Sequence, residues 1–139
     1  MSFRAELLIR FAHVDAAGIV FYPRYFELLN GVVEDWFANM GHDFRTLHLR
    51  QGIGVPTVDL KCQFLSPSEL GDRLEVILSP AEPGRSSCAY EFVMTGDGRD
   101  RLRGSAVLVC MDLGGQKAVP WPDELRRAIS ATRGGAAAG

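Results

Sequence analysis

From Pro23 to about Met40 the apolar side chains Phe26, Leu29, Val33, Phe37 and Met40 recur at spacings of three or four. That is the period of a helix that buries one face. Beyond Ile53 the chain changes character. Val55 to Phe64, Arg73 to Leu78, Ser86 to Thr95 and Leu102 to Met111 are runs rich in strand formers. They are separated by Ser66-Pro67-Ser68, Pro80-Ala81-Glu82-Pro83-Gly84 and Thr95-Gly96-Asp97-Gly98, all turn chemistry. Strands joined by turns this short pair antiparallel. A first strand is expected at Leu7 to Phe11, and a short last helix at Asp123 to Ser130 with Asp123 near its N-cap. One long helix and a run of antiparallel strands make an α+β layout, with the helix stripe buried on one sheet face. A lone chain of 139 residues covers the opposite face and the outer strands poorly, so oligomerisation is expected.

Length fits one domain, residues 1–133, followed by a small-residue tail over 134–139 that is expected to be disordered. The formal charge of -2 gives no reason to expect nucleic acid as a partner. No apolar run approaches the roughly 20 residues of a membrane span. The first residues run straight into an apolar stretch without a secretory pattern, so a cytoplasmic protein is expected. Cys62, Cys88 and Cys110 are widely spaced within strand-like runs, and with His13, His42 and His48 they form no metal-ligand spacing. Buried thiols and no metal are the expectation. Gly31 costs the long helix roughly 1 kcal/mol relative to Ala, which suggests close approach of a strand or ligand there. Gly41 is a natural helix stop.

The chemistry is concentrated in His13-Val14-Asp15-Ala16-Ala17-Gly18-Ile19-Val20-Phe21-Tyr22-Pro23. Proline is well tolerated in the first helical turn, where its missing N–H has no intrahelical partner to lose. A helix starting there points its free N–H groups and positive dipole end back toward the loop that carries Asp15. A carboxylate facing oriented donors supplies an attacking or proton-accepting group and a place for a developing oxyanion.

With the strand before it and the helix and sheet after it, this motif resembles the hotdog-fold acyl-CoA thioesterases of the 4-hydroxybenzoyl-CoA thioesterase class. The likeness runs from about Phe3 to Pro122, with weaker support from Gly52-Ile53-Gly54-Val55-Pro56, Gly71-Asp72 and Arg85-Ser86-Ser87. It implies a long central helix wrapped by a five- to six-stranded antiparallel sheet. It also implies protomers joined edge to edge with active sites at the dimer interface, and dimers pairing into homotetramers. Asp15 then matches the catalytic carboxylate, as nucleophile or general base. Tyr22 matches the helix-start residue whose N–H polarises the thioester carbonyl, and Gly18 the glycine that lets the thioester approach the backbone. Arg85, Ser86 and Ser87 fall where family members contact the pantetheine arm and phosphates of coenzyme A, with Lys117 a weaker phosphate candidate. Coenzyme A is part of the substrate, so no separate cofactor is implied; an acyl-carrier protein is the other implied donor.

Two departures bear on the acyl group. Where 4-hydroxybenzoyl-CoA thioesterases carry an Asp facing the ring hydroxyl, this chain has Asn30, a neutral amide. Where they carry a Thr before the proline that precedes the second strand, it has Val55. Aryl-CoA and short-to-medium acyl-CoA thioesters both fit this reading. Alternatives are a hotdog dehydratase or hydratase, with His13 and Asp15 as an acid/base pair, and a non-catalytic acyl-CoA or acyl-carrier binding module. Glu34-Asp35 reads as a solvated helix face, Trp36 and Phe37 as core or interface. Arg99, Arg101 and Arg103 read as a solvated or edge-protecting row.

Overall fold

The computed structural model describes residues 2–134; the expected tail over 134–139 lies outside them except for Gly134, which ends the last helix. The long helix α1 spans Tyr22–Asn39 and buries Tyr25, Leu29, Val32, Val33, Trp36 and Phe37. It begins one residue before Pro23. It ends with Met40 as cap and Gly41 at φ +87°. Gly41 N–H donates to Ala38 O at 3.0 Å and His42 N–H to Phe37 O at 2.9 Å, the paired bonds of a glycine-terminated helix. Gly31 has nothing within 4 Å of where a Cβ would stand, so no strand of this chain makes the close approach expected there.

The strands are β1 Phe3–Leu8, β2 Ile53–Gly54, β3 Thr57–Phe64, β4 Arg73–Pro80, β5 Ser87–Gly96, β6 Arg99–Val109, β7 Met111–Asp112 and β8 Lys117–Ala118. A five-stranded antiparallel sheet runs β1-β4-β5-β6-β3, and a small one runs β2-β7-β8. The inward row Leu74, Val76, Leu78, Tyr90, Phe92, Met94, Leu102, Ala106 and Leu108 joins the helix stripe in one core. Trp36 packs on Tyr90 with ring centroids 6.4 Å apart. This is the hotdog arrangement, a central helix held in a curved sheet.

Several boundaries differ from expectation, among them β6, which runs Arg99–Val109 where Leu102 to Met111 is expected. The first strand lies at Phe3–Leu8, and Phe11 sits in a 3-10 turn, 83% exposed. Alternation, with Phe3, Ala5 and Leu7 facing the core against exposed Arg4 and Glu6, outweighs the apolar run at residues 7–11. The run from Val55 to Phe64 breaks at Pro56, which lacks an N–H for the ladder. Ile53–Gly54 therefore joins the small sheet and Thr57–Phe64 the large one. The last helix, α2, spans Asp123–Gly134, a turn longer than expected, and Thr132 accepts a 3.2 Å bond from Trp36 Nε1 beneath it.

Candidate active site

The Asp15 motif folds as a tight loop closed on itself. Val14 and Val20 bridge as antiparallel partners. Asp15 N–H donates to Ile19 O at 3.0 Å, and Gly18 N–H to Asp15 O at 2.9 Å. Ala17 N–H donates to Asp15 Oδ1 at 2.9 Å, an Asx turn. Gly18 sits at φ +80° with open space around it, a conformation that a side chain would strain. The Asp15 side chain is exposed.

The loop leads directly into α1. Phe21 N–H donates to His13 O at 3.0 Å, while His13 Nδ1 accepts the Arg10 N–H at 2.8 Å. Tyr22 is the first helical residue, and no side chain caps this end. Its N–H has no acceptor within the helix. The first turn also contains no acidic residue that would compete with an anion for the positive end of the dipole. Asn30 stands two turns further along, exposed, on the helix face that also carries Tyr22 and Phe26.

Beside the helix start lies a cavity of about 320 Å³ lined by Ile19, Val20, Tyr22, Tyr25, Phe64 and Pro67, among others. Phe64 organises it. Its ring lies 6.1 Å from that of Tyr22, 6.0 Å from Tyr25 and 6.2 Å from Phe26, yet it remains 51% exposed. Nothing local marks Phe64 in the sequence; only the register of β3 brings it to the helix. A larger hollow of about 480 Å³, bounded by Lys61, Ile77, Glu91 and Arg103, lies on the sheet away from the helix start.

Asp15, Gly18 and Tyr22 thus come together, with Asn30 along the same helix. The remaining sequence candidates lie elsewhere. Arg85 is exposed, and Ser86 and Ser87 are half-buried, at the start of β5. Arg85 O accepts the Trp121 N–H at 3.0 Å, and Ser87 O accepts Trp121 Nε1 at 3.1 Å. Val55, 8% exposed, adjoins the Thr57 end of β3, and Lys117 is exposed on β8. Ser87 pairs with Val109, and Thr57 with Leu108, whereas Phe64 pairs with Leu102. These candidates therefore occupy the opposite end of the sheet from Asp15. The ten residues of β5 make that separation roughly 30 Å.

Arg101 overturns the reading of the Arg99, Arg101 and Arg103 row, because it is 1% exposed. Between the pairs Met94–Leu102 and Thr95–Asp100 the register skips Arg101. This bulge turns its side chain inward. The signal lies in the register, not in the spacing of the arginines. The three thiols are free, Cys88 and Cys110 buried and Cys62 half-buried. Burial pushes Cys88 up to about 12 and Cys110 up to about 11. Among the described residues no group of three or more His, Cys, Asp or Glu is arranged to hold a metal. No described helix is long and apolar enough to cross a membrane.

Fold and site together define a hotdog protein with a carboxylate turn laid against an open helix start. Residues 9–129 match the family model of the Thioesterase-like superfamily. The chain belongs to that superfamily, and thioester hydrolysis is the chemistry such membership carries. A 1,4-dihydroxy-2-naphthoyl-CoA hydrolase of Thermosynechococcus vestitus is 30% identical over 118 residues, covering 84% of this chain and 81% of the relative. The crystal structure of a 1,4-dihydroxy-2-naphthoyl-CoA thioesterase from Synechocystis shares the fold, with a TM-score of 0.85 at 21% identity over 94% of this chain and 96% of that one. A gentisyl-coenzyme A thioesterase gives a TM-score of 0.80 at 26% identity, covering 91% and 98%.

Proposed function

We propose that this protein is an acyl-CoA thioesterase acting on an aryl-CoA thioester, with Asp15 as the reacting carboxylate and the Tyr22 N–H as oxyanion donor. The observation that carries this is the loop that holds Asp15, tied through His13 O to the Phe21 N–H at the entry of an uncapped helix, beside an aromatic-lined cavity. The thioester carbonyl oxygen sits at the helix start, where donor and dipole favour the negative charge of the tetrahedral state. Asp15 attacks the carbonyl carbon, or takes a proton from the water that attacks, and a tetrahedral adduct forms. Its C–S bond then breaks and coenzyme A leaves as thiolate; in the nucleophilic route the mixed anhydride left on Asp15 is hydrolysed by water to the free acid, which restores the carboxylate. The rings of Tyr22, Tyr25 and Phe64 suit a planar acyl group, and relatives named for 1,4-dihydroxy-2-naphthoyl and gentisyl thioesters support that class. His13 has its Nδ1 engaged by the Arg10 amide, which favours hydrolysis over an acid/base hydratase role.

The working unit in this proposal is a homodimer joined through β3, two of which pair into a tetramer. The β3 strand forms one edge of the large sheet, and Val58, Leu60 and Phe64 on it are 61%, 40% and 51% exposed. Antiparallel pairing with β3 of a second copy sets the Thr57 end of one beside the Phe64 end of the other. The Val55, Arg85, Ser86 and Ser87 end of the second copy then approaches the first copy's Asp15. Arg85 there offers its guanidinium to the nucleotide phosphates, with Lys117 a further cation.

Asp15→Asn is the decisive test. Turnover of an aryl-CoA, followed by thiol release, is expected to fall by about 10²- to 10⁴-fold, while a non-hydrolysable thioester analogue still binds. Near-normal turnover would remove Asp15 from the chemistry. The same assay with the acyl group on carrier protein separates the two donors, and loss of enoyl absorbance without thiol release would indicate hydration instead.

A further inference from the structure

Arg101 is a buried cation that the chemistry above leaves unused. Its Nη1 lies 2.8 Å from Asp72 Oδ2, 3.1 Å from Ser68 Oγ and 3.2 Å from Pro67 O. On the other side Nε and Nη2 donate to Gly96 O at 3.3 and 3.1 Å, with Asp97 at 3.8 Å. The Arg101 main chain joins in, its O accepting the Leu65 and Ser66 N–H groups at 2.9 and 3.2 Å. The whole residue thus clamps the segment between β3 and β4 to the turn between β5 and β6.

That segment is also the wall against which the reacting loop is built. Ser68, fully buried, accepts the Val20 N–H on its carbonyl at 2.9 Å. Glu69 bridges Ile19, and the Glu69 N–H donates to the same Asp72 Oδ2 at 2.8 Å. Pro67 lines the cavity together with Ile19, Val20 and Tyr22. A continuous path of hydrogen bonds therefore runs from the Arg101 guanidinium through Ser68 to Val20, two residues before Tyr22.

We infer that Arg101 is a positioning residue: its buried fork, aimed inward by the bulge in β6, fixes the Asp15–Tyr22 loop and the cavity wall in their reactive geometry. It touches no reacting atom. The inference rests on the thioesterase reading of that loop. The role requires a guanidinium. Only a planar fork with five donors reaches Gly96 O on one side and the Pro67–Asp72 segment on the other. A lysine keeps the charge but satisfies one side at a time.

The test uses Arg101→Lys and the lighter Ser68→Ala in the full chain, with an aryl-CoA thioester as substrate. Arg101→Lys is expected to lower kcat by about 10- to 100-fold with KM little changed. Hydrogen exchange at the Val20 amide should quicken by about tenfold, while β5–β6 ladder amides stay protected. Ser68→Ala should move both readouts in the same direction and by less, and it serves where Arg101→Lys fails to fold. Unchanged kcat and unchanged Val20 exchange in a folded variant would overturn the inference. So would losses that track global unfolding across every protected amide. If the unaltered protein proves inactive on all thioesters, the thioesterase reading fails, and Val20 exchange still decides whether Arg101 anchors the loop.

Discussion

Gly104 offers the sharpest test of how the sheet is built. It lies in β6, paired with Cys62 of β3 on one side and Phe92 of β5 on the other. A Cβ built there would collide with the Lys61 carbonyl oxygen and stand 2.7 Å from Phe92 Cζ and 2.9 Å from the Lys61 carbonyl carbon. Two of those three atoms are main chain, so no rotamer change relieves the clash and β3 must move outward. Overpacking of this kind costs about 2 kcal/mol, and one loosened ladder bond adds about 1 kcal/mol. Gly104→Ala is therefore expected to destabilise by about 3 kcal/mol. For a chain of 139 residues the unfolding entropy is about 0.3 kcal/mol per degree, so Tm should fall by about 10 °C. Gly31→Ala is the matched control, since open space surrounds that position and removing a helix-interior glycine gains about 1 kcal/mol. Its Tm should rise by about 3 °C. Thermal unfolding followed by circular dichroism reads both. A Gly104→Ala protein within about 2 °C of the parent would refute the packing argument at a site where the expected fall is several times larger. A Gly31→Ala protein that gains stability but loses turnover would identify a second copy or the substrate as the close neighbour expected from the sequence.

Charge and burial give further expected outcomes. The Asp72 carboxyl is held below its ordinary range, first by the Glu69 N–H and then by the Arg101 guanidinium. A depressed carboxylate stabilises the fold above its unfolded value, near pH 4, and that contribution is lost as pH falls toward the folded value. Asp72→Asn should thus flatten the acid limb of a stability–pH curve below about pH 4; an unchanged limb would mean the pair adds nothing there. At pH 8 a thiol reagent should label Cys62 first and leave Cys88 and Cys110 untouched until unfolding, because burial keeps both as thiols. Rapid labelling of all three in the folded protein would contradict the packing of β5 and β6.

Local features are readable from the sequence because their causes are local. The spacing of Leu29, Val33 and Phe37 sets α1, Gly41 stops it, and Asp15-Ala16-Ala17-Gly18 carries its own turn chemistry. Features that depend on register are not readable in this way. Phe64 ends an exposed strand, and only its pairing with Leu102 sets it against Tyr22. Arg101 is chemically identical to Arg99 and Arg103, and only the skipped pairing after Met94 separates the buried one from its neighbours. The true span of β1 is obscured for a related reason, since its alternation includes Arg4 and Glu6 and hides behind the apolar run at residues 7–11. A strand's face is decided by its partners, and partners lie far away in sequence.

On the proposed reading, the split of candidate groups between the two ends of the sheet ties catalysis to assembly. Within one chain a helix start and a carboxylate stand at the Phe64 end, while Arg85, Ser86 and Ser87 stand roughly 30 Å away at the Thr57 end. No bending of a five-stranded sheet whose neighbouring strands are all hydrogen-bonded to one another closes that gap. An edge such as β3, with Val58, Leu60 and Phe64 exposed, also invites pairing with another strand. In the proposed dimer one event answers both demands. Antiparallel pairing covers the apolar edge, and because it reverses strand direction it carries the phosphate-binding end of one copy to the reacting end of the other. A parallel pairing would bring like ends together and leave each carboxylate without its distant cation. On the proposed reading, the direction of β3 pairing determines whether one dimer carries two complete sites or none.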